Sequence, residues 1–317
     1  MATATQLKSL LKAHYESDEI RFTTIALQIA AHESKIGHLS LADDIRKIID
    51  KSKQYTPKLK SFGKDFEGLL LEDIPVKNLS DLIVSDVILE RIQRIINEYI
   101  QVDKLRRHNL QNRRKILLSG PPGTGKTMTA SILANELNLP LYTILMDKMV
   151  TKFMGETSAK LRQVFDIIQE RQGVYLFDEF DAIGTNRGKD NDVGEMRRVL
   201  NAFLQFIERD NSNSLIIAAT NNLGLLDQAL FRRFDDVLHY QLPSDTEKIL
   251  LLENRLGNYK GNFDLKSIVD TLKGLSHAEI SQACLDSIKE SILTDKKKVD
   301  KFLITKMIED RTAAYKK

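Results

Sequence analysis

Apolar residues recur at helical spacing in the first part of the chain and then change rhythm. Gln6 to Tyr15 carries Leu7, Leu10 and Leu11 on one side. Ile20 to Ile36 repeats the spacing between Ser17-Asp18, which suits a helix cap, and Gly37, which suits a helix stop. Ser40 with Asp43 has the form of a capping box ahead of a third helix, Leu41 to Ile49. Residues 1–53 are therefore expected to form a separate all-α unit, an adaptor or a structural brace. Residues 54–80 mix Pro, Gly and Lys without a sustained period and read as a linker that partly packs. From Asp81 short apolar runs alternate with helical patterns, the arrangement of an α/β core with a parallel sheet. Strands are expected at 115–119, 141–145, 173–177, 214–219 and 236–241, with a helix from Met128 to Leu137. After Pro243 the pattern is helical again, at 244–257, 264–273, 276–292 and 299–315. The expected division is 1–53, 54–80, 81–243 and 244–317.

Composition narrows the class. A chain of 317 residues has room for about two domains. Its 42% hydrophobic and 29% charged residues are ordinary for a globular protein. No apolar run approaches the roughly 18 residues that a membrane helix requires. The opening MATATQLKSLLKAHYESDEI lacks a basic segment followed by a long apolar core, so a secretory signal is not expected. The single cysteine, Cys284, forms no internal disulfide and suits a reducing cytoplasm. Its apolar surroundings predict a small core residue rather than a nucleophile. The six histidines are scattered, and His32-Glu33 lacks a second His four residues on, so no metal site is expected from them. With 47 basic and 44 acidic residues there is no general basic excess to attract nucleic acid. The KKK run at 296–298 reads as a solvated turn or helix end.

The chemistry is concentrated in Gly120-Pro121-Pro122-Gly123-Thr124-Gly125-Lys126-Thr127. This stretch fits G-x-x-x-x-G-K-[ST] and lies between the apolar run Ile116-Leu117-Leu118 and a helix-like segment beginning at Met128. Gly120, Gly123 and Gly125 let the backbone wrap closely, so that successive N–H groups point at phosphate oxygens. The following helix adds its positive end. Lys126 supplies a mobile charge for the β- and γ-phosphates, and Thr127 offers a hydroxyl to Mg2+. The pattern points to a bound nucleoside triphosphate.

Gly173-Val174-Tyr175-Leu176-Phe177-Asp178-Glu179 is an apolar strand ending in two carboxylates. Such an ending suits a site that meets a cation. Asp178 is placed to hold Mg2+ through water, and Glu179 to polarise the attacking water as a general base.

These motifs, with the segments downstream of them, resemble the AAA+ ATPases, and within them the AAA protein-remodelling branch, over about residues 80–290. Ser214-Leu-Ile-Ile-Ala-Ala-Thr-Asn221 is similar to the family's sensor strand. The resemblance implies that Asn221 orients the lytic water and feels the γ-phosphate. Leu226-Asp-Gln-Ala-Leu-Phe-Arg-Arg-Phe-Asp235 resembles its arginine-finger stretch, so Arg232 or Arg233 is expected to reach a neighbouring subunit's site. Their spacing is shorter than the family's usual one, which leaves open which arginine acts. A guanidinium on a phosphoryl group is worth about 10³–10⁵ in rate, on the order of 4–7 kcal/mol of barrier. A finger supplied in trans implies self-association into a ring, expected to be a hexamer.

Residues 244–292 resemble the family's helical lid. Gly274-Leu-Ser-His-Ala-Glu-Ile280 matches the lid turn that approaches adenine, except that His277 stands where the family has glycine. His277 with Ala278 is thus expected at the base or ribose, although His277 could equally face solvent. The segment Leu82-Ile83-Val84 occupies the place where the family cups adenine. Together with Met128, these residues and the phosphate loop are the expected nucleotide-binding set.

Lys152-Phe153-Met154-Gly155-Glu156 is similar to the pore loop by which AAA unfoldases grip a polypeptide. An exposed aromatic beside a flexible apolar residue makes sequence-tolerant contacts. The polar stretch 184–194 stands where the family has a second pore loop. The resemblance implies an oligomeric ATPase that remodels, unfolds or translocates proteins. Two alternatives are an AAA+ ATPase acting on DNA, as a loader or transposition helper, and an ATP-gated assembly scaffold. The small helical unit joined to one AAA module also resembles bacterial ATPases that work with a separate, subtilisin-like protease.

Overall fold

The computed structural model describes residues 8–10, 19–38, 40–45, 47, 69–149, 156–183, 190–222, 224 and 231–315. The chain divides into two units, Met1–Ser61 and Phe62–Lys317. In the first, helix α1 (Glu19–Lys35) buries Ile25, Ala26, Ile29 and Ala30 along one side. The other two helices expected there are helical at their described residues, 8–10 on one side and 40–45 with 47 on the other.

The described residues of the second unit open with strand β1 (Leu70–Asp73), a 3₁₀ turn at Leu79–Asp81 and helix α2 (Asp86–Ile100). Strand β2 (Lys115–Ser119) leads into α3 (Lys126–Glu136), and β3 (Leu141–Ile144) precedes α4 (Glu156–Glu170). Strand β4 (Val174–Phe177) is followed by α5 (Asp190–Arg209), then β5 (Leu215–Thr220) and β6 (Asp236–His239). The sheet order is β1-β3-β4-β5-β2-β6.

Five strands run parallel, as expected, and β1 adds an antiparallel edge against β3. That edge strand falls inside the stretch expected to be a linker. Its four residues Leu-Leu-Glu-Asp expose all but the first side chain, too short and too polar a run for a period of two to be read.

The central strands are buried on both faces, which is why they read as unbroken apolar runs. Tyr175, Phe177, Ile216, Ala218 and Leu117 point into one core with α4 and α5. Val174, Leu176, Ile217, Ile116 and Leu118 point into the other, with α2 and α3. Burying each of the large side chains contributes about 1.5–3 kcal/mol. Arg114, at the entry to β2, forms a buried ion pair with Asp210, just past the end of α5.

Helices α6 (Asp245–Leu256), α7 (His277–Leu293) and α8 (Lys301–Tyr315) build a third core around Leu252, Ile268, Ile280, Cys284 and Ile304. Ser244 with Glu247 and Ser276 with Glu279 form reciprocal capping boxes that start α6 and α7. The helix expected at 264–273 is a 3₁₀ run, Leu265–Leu272. Its core residues Leu265, Ile268 and Leu272 lie three or four apart, so the tighter coil still presents them to one side. Cys284 is fully buried and its thiol is pushed up to about 12 by desolvation, as befits a core residue. Among the described residues no helix is long and apolar enough to cross a membrane.

Candidate active site

The loop between β2 and α3 has glycines where no side chain would fit. At Gly120 the backbone adopts φ 145, and an added Cβ would lie 2.3 Å from the Tyr240 carbonyl oxygen. Tyr240 itself is held by its N–H on the Ser119 carbonyl (2.6 Å) and by its hydroxyl against Thr129 Oγ1 (2.6 Å). At Gly123, φ is 73 and an added Cβ would lie 2.6 Å from Ser276 Oγ. The Ala278 N–H donates to the Gly123 carbonyl at 2.9 Å. The helical lid is therefore strapped onto the loop by the residues on either side of His277.

Lys126 is the first residue of α3 and only 7% exposed. Its Nζ donates to the carbonyls of Gly120 and Pro121, both at 2.8 Å. Burial pulls the ammonium below its ordinary range, while the charges of Asp178 and Asp181 oppose that pull. Beside it the Thr127 hydroxyl donates to Asp178 Oδ2 at 2.7 Å.

Asp178 and Glu179 leave the end of β4 between two buried phenylalanines. Phe177 and Phe180 both pack on Phe203 of α5, with ring centroids 5.1 and 4.5 Å away. The acidic pair is thus pinned at both sides by aromatic anchors. Glu179 has φ 52, a left-handed conformation rare for a residue with a side chain, and its N–H donates to Asp178 Oδ1 at 2.9 Å. Two residues on, Asp181 Oδ1 accepts from the Thr220 hydroxyl and from the Asn221 N–H, both at 3.3 Å. That carboxylate ties the turn after β4 to the tip of β5.

A cleft of about 420 Å³ gathers most of the expected set. Pro122, Gly123, Thr124, Gly125, Lys126, Thr127 and Met128 line it on the loop side. Asp178, Glu179 and Asn221 line it at the strand ends, with Ile83, His277 and Ala278 also on its wall. Gly120 and Pro121 lie behind it, their carbonyls on Lys126. His277 is 9% exposed, so the alternative that it merely faces solvent does not hold. Ile83 packs with the lid core, whereas Leu82 and Val84 pack with the sheet core, so this short segment joins the two.

Arg232 and Arg233 do not line this cleft; both are exposed, and Arg233 pairs with Glu208 at 2.9 Å. Phe153 and Met154 lie outside the described residues, as do 184–189 of the second expected loop. The cleft also brings in residues the motifs did not single out: Asp81, Leu251, Arg255 and Ser281. Asp181, next in the D-E-F-D series, carried a legible signal as a third acid beside the pair. Leu251 and Arg255 carried none, because only lid packing decides which side of α6 faces the cleft.

The donor set fits a magnesium–triphosphate complex. Gly120 and Gly123 have no room for side chains, a buried ammonium lies against the loop carbonyls, and a hydroxyl and a carboxylate suited to a hard cation already touch. Among the described residues no group of three His, Cys, Asp or Glu gathers to hold a metal.

Comparison with known proteins gives the same picture. Residues 116–242 match the model of the ATPase family associated with various cellular activities (AAA). The chain is 33% identical to an uncharacterized AAA family ATPase of Sinorhizobium fredii, over 98% of this chain and 96% of that one. It is 31% identical to the ATP-dependent zinc metalloprotease FtsH of Mycoplasmopsis synoviae, over 74% of this chain but 36% of that protein. It is 33% identical to a protein of Methanothermobacter marburgensis described as a homolog of the 26S proteasome regulatory subunit, over 68% and 60% of the two chains.

Proposed function

This chain belongs to the AAA family of ATPases, and on that premise we propose that it is a Mg2+-dependent motor that assembles into a ring and remodels or translocates proteins. It is an ATPase, converting ATP and water to ADP and phosphate. The convergence of Lys126, Thr127, Asp178, Glu179 and Asn221 on one cleft carries the mechanistic reading.

Thr127 and Asp178 would hold the Mg2+ ion, which when bound neutralises charge on the phosphates. Lys126 exchanges the Gly120 and Pro121 carbonyls for phosphate oxygens. Glu179 takes the proton of the attacking water, and Asn221 orients that water. Asp181 keeps Asn221 in register through the backbone. Arg232 and Arg233, exposed and outside their own cleft, are free to serve a neighbouring copy; Arg233 must first leave Glu208. Both side chains of that pair are about half exposed, so breaking it costs under about 1 kcal/mol. A hexameric ring is the assembly that the family resemblance favours.

One relative is named a protease and another a proteasome regulatory subunit homolog, which supports a protein client. This chain spans only 36% and 60% of those proteins, so their activities are not transferred whole. Phe153 and Met154 are the proposed grip on the client, the N-terminal helices its selector, and a separate protease the partner where clients are degraded. A cytoplasmic location rests on the single, buried cysteine. The test is ATPase turnover of the full chain with unfolded protein and with DNA. Stimulation by unfolded protein, lost in Phe153→Ala with basal turnover kept, is expected. Stimulation by DNA alone would refute the protein-motor reading.

A further inference from the structure

Directly after the exposed Arg232-Arg233 pair the chain is gripped by one carboxylate. Asp235 Oδ2 accepts from the backbone N–H groups of Arg114 and Lys115, both at 2.9 Å. The Asp235 N–H donates in turn to the Lys115 carbonyl at 2.8 Å. One residue thus makes three hydrogen bonds to two consecutive residues at the base of β2. Bonds to an ionised carboxylate are shorter and stronger than neutral ones. The backbone ladder between β2 and β6 pairs Ile116 with Asp236 and continues to Ser119 with His239. Asp235 lies just before that ladder, and its side chain extends the grip back as far as Arg114.

The arginines hang from this clamp by very little chain. Only Phe234 separates Arg233 from Asp235, and Phe234 is itself buried against the core around Phe203. Asp236, on the other side, is buried and paired with Arg91 of α2. The base of β2 has further supports of its own. The Ile216 N–H donates to the Arg114 carbonyl at 2.7 Å, and the Arg114 guanidinium holds the buried Asp210. Strand β2 also lies between β5 and β6. The arginines have no comparable hold, because the Arg233–Glu208 pair is about half exposed on both sides. Losing the Asp235 carboxylate therefore falls on the arginines more than on β2. An arginine side chain is long and flexible, so its reach is defined only if the backbone beneath it is fixed. Misplacing a reacting or stabilising group by about 1 Å can cost about 10²-fold in rate.

We propose that Asp235 is a positioning residue for Arg232 and Arg233: by clamping the backbone to the base of β2 it sets where their guanidinium groups stand for the neighbouring copy. The inference rests on reading those arginines as serving a second subunit in trans. Although every bond Asp235 makes lies within its own chain, the defect from removing it appears at the neighbour's nucleotide. The phosphate loop at the other end of β2 is left able to bind.

Three measurements on the full chain test this. Asp235→Ala should bind ATP within about twofold of the wild type by calorimetric titration. Its turnover should fall at least about tenfold. Mixed with Lys126→Ala subunits, it should regain turnover, as the Arg232→Ala/Arg233→Ala double variant does in the same assay. Asp235→Asn keeps one acceptor oxygen and loses the charge, so a smaller fall that mixing also repairs is expected. That variant carries the test if Asp235→Ala does not fold. Unchanged turnover in the folded variant overturns the proposal. So does a lost ATP affinity that mixing does not restore, because Asp235 is then only a prop for its own β2. If the arginine variant recovers on mixing and the Asp235 variant does not, the clamp alone is wrong. If neither recovers, catalysis in trans falls and the clamp falls with it.

Discussion

Thr127 donates its hydroxyl to Asp178 across 2.7 Å, joining the start of α3 to the end of β4 at the mouth of the cleft. These are the two residues proposed to share a magnesium ion, and they already lie within reach of one another. Asp178→Asn keeps the size and the hydrogen bond but removes the charge. It should raise the Mg2+ concentration needed for half-maximal ATPase by about tenfold or more, since a hard cation prefers carboxylate oxygen. A magnesium titration of turnover checks this, and an unchanged midpoint counts against Asp178 as a ligand.

Glu179 combines a left-handed backbone with the proposed role of base. Glu179→Gln should bind ATP normally and hydrolyse it about 10²–10⁴ times more slowly. The backbone allows a separate check on strain. Glu179→Gly removes the carboxylate and also the left-handed penalty of about 1–2 kcal/mol, so it should melt higher than Glu179→Ala. Thermal melts of the two variants decide that point.

Phe203 is fully buried and meets Phe165, Phe177, Phe180 and Phe234. Phe203→Ala should cost about 3–5 kcal/mol of stability by leaving a cavity under the acidic pair. Denaturant unfolding measures the loss. Turnover measured well below the new midpoint should also drop, because Asp178 and Glu179 lose their shared anchor.

The depressed titration of His277 predicts a pH response of the nucleotide-free protein. In the unfolded chain this imidazole protonates near its ordinary 6.5. In the folded lid it protonates only at lower pH. Between those two values the unfolded state binds the extra proton, so stability falls as pH drops below about 6.5 and this contribution levels off beneath the folded value. Above that window it has no effect. Denaturant midpoints at pH 7.5 and 5.5 should differ less in His277→Phe than in the wild type.

Catalysis in trans predicts rescue by mixing. Subunits carrying both Arg232→Ala and Arg233→Ala, mixed with Lys126→Ala subunits, should recover ATPase where an intact loop meets an intact arginine. No recovery at any ratio would argue that each chain completes its own site.

Much of the site was legible because its chemistry is local. Eight consecutive residues from Gly120 to Thr127 form the proposed phosphate cradle, and Asp178-Glu179 end a strand whose apolar run is unmistakable. The strands expected at 115–119 and 214–219, observed at Lys115–Ser119 and Leu215–Thr220, read clearly for a related reason: burial on both faces leaves no polar interruption. Edge strand β1 was hidden because four residues with only the first side chain buried give no period. The register of α6 was hidden as well. Its apolar positions mark the lid core, but they do not say that Arg255 turns to the cleft with its Nε unpaired.

The amino-acid order by itself determined which groups are proposed to hold a triphosphate, since a glycine-rich turn, a lysine and an acidic pair lie among neighbours in the chain. Tertiary structure alone decided how those groups meet. Thr127 reaches Asp178, Asp181 holds the Asn221 backbone, and Gly123 receives the lid, all through contacts between segments dozens of residues or more apart. Such contacts depend on the packing of the whole sheet and lid, so no local pattern encodes them. His277 shows the difference: its position beside the cap of α7 is written in the chain, but its burial with two unpaired nitrogens follows only from the lid closing on the loop.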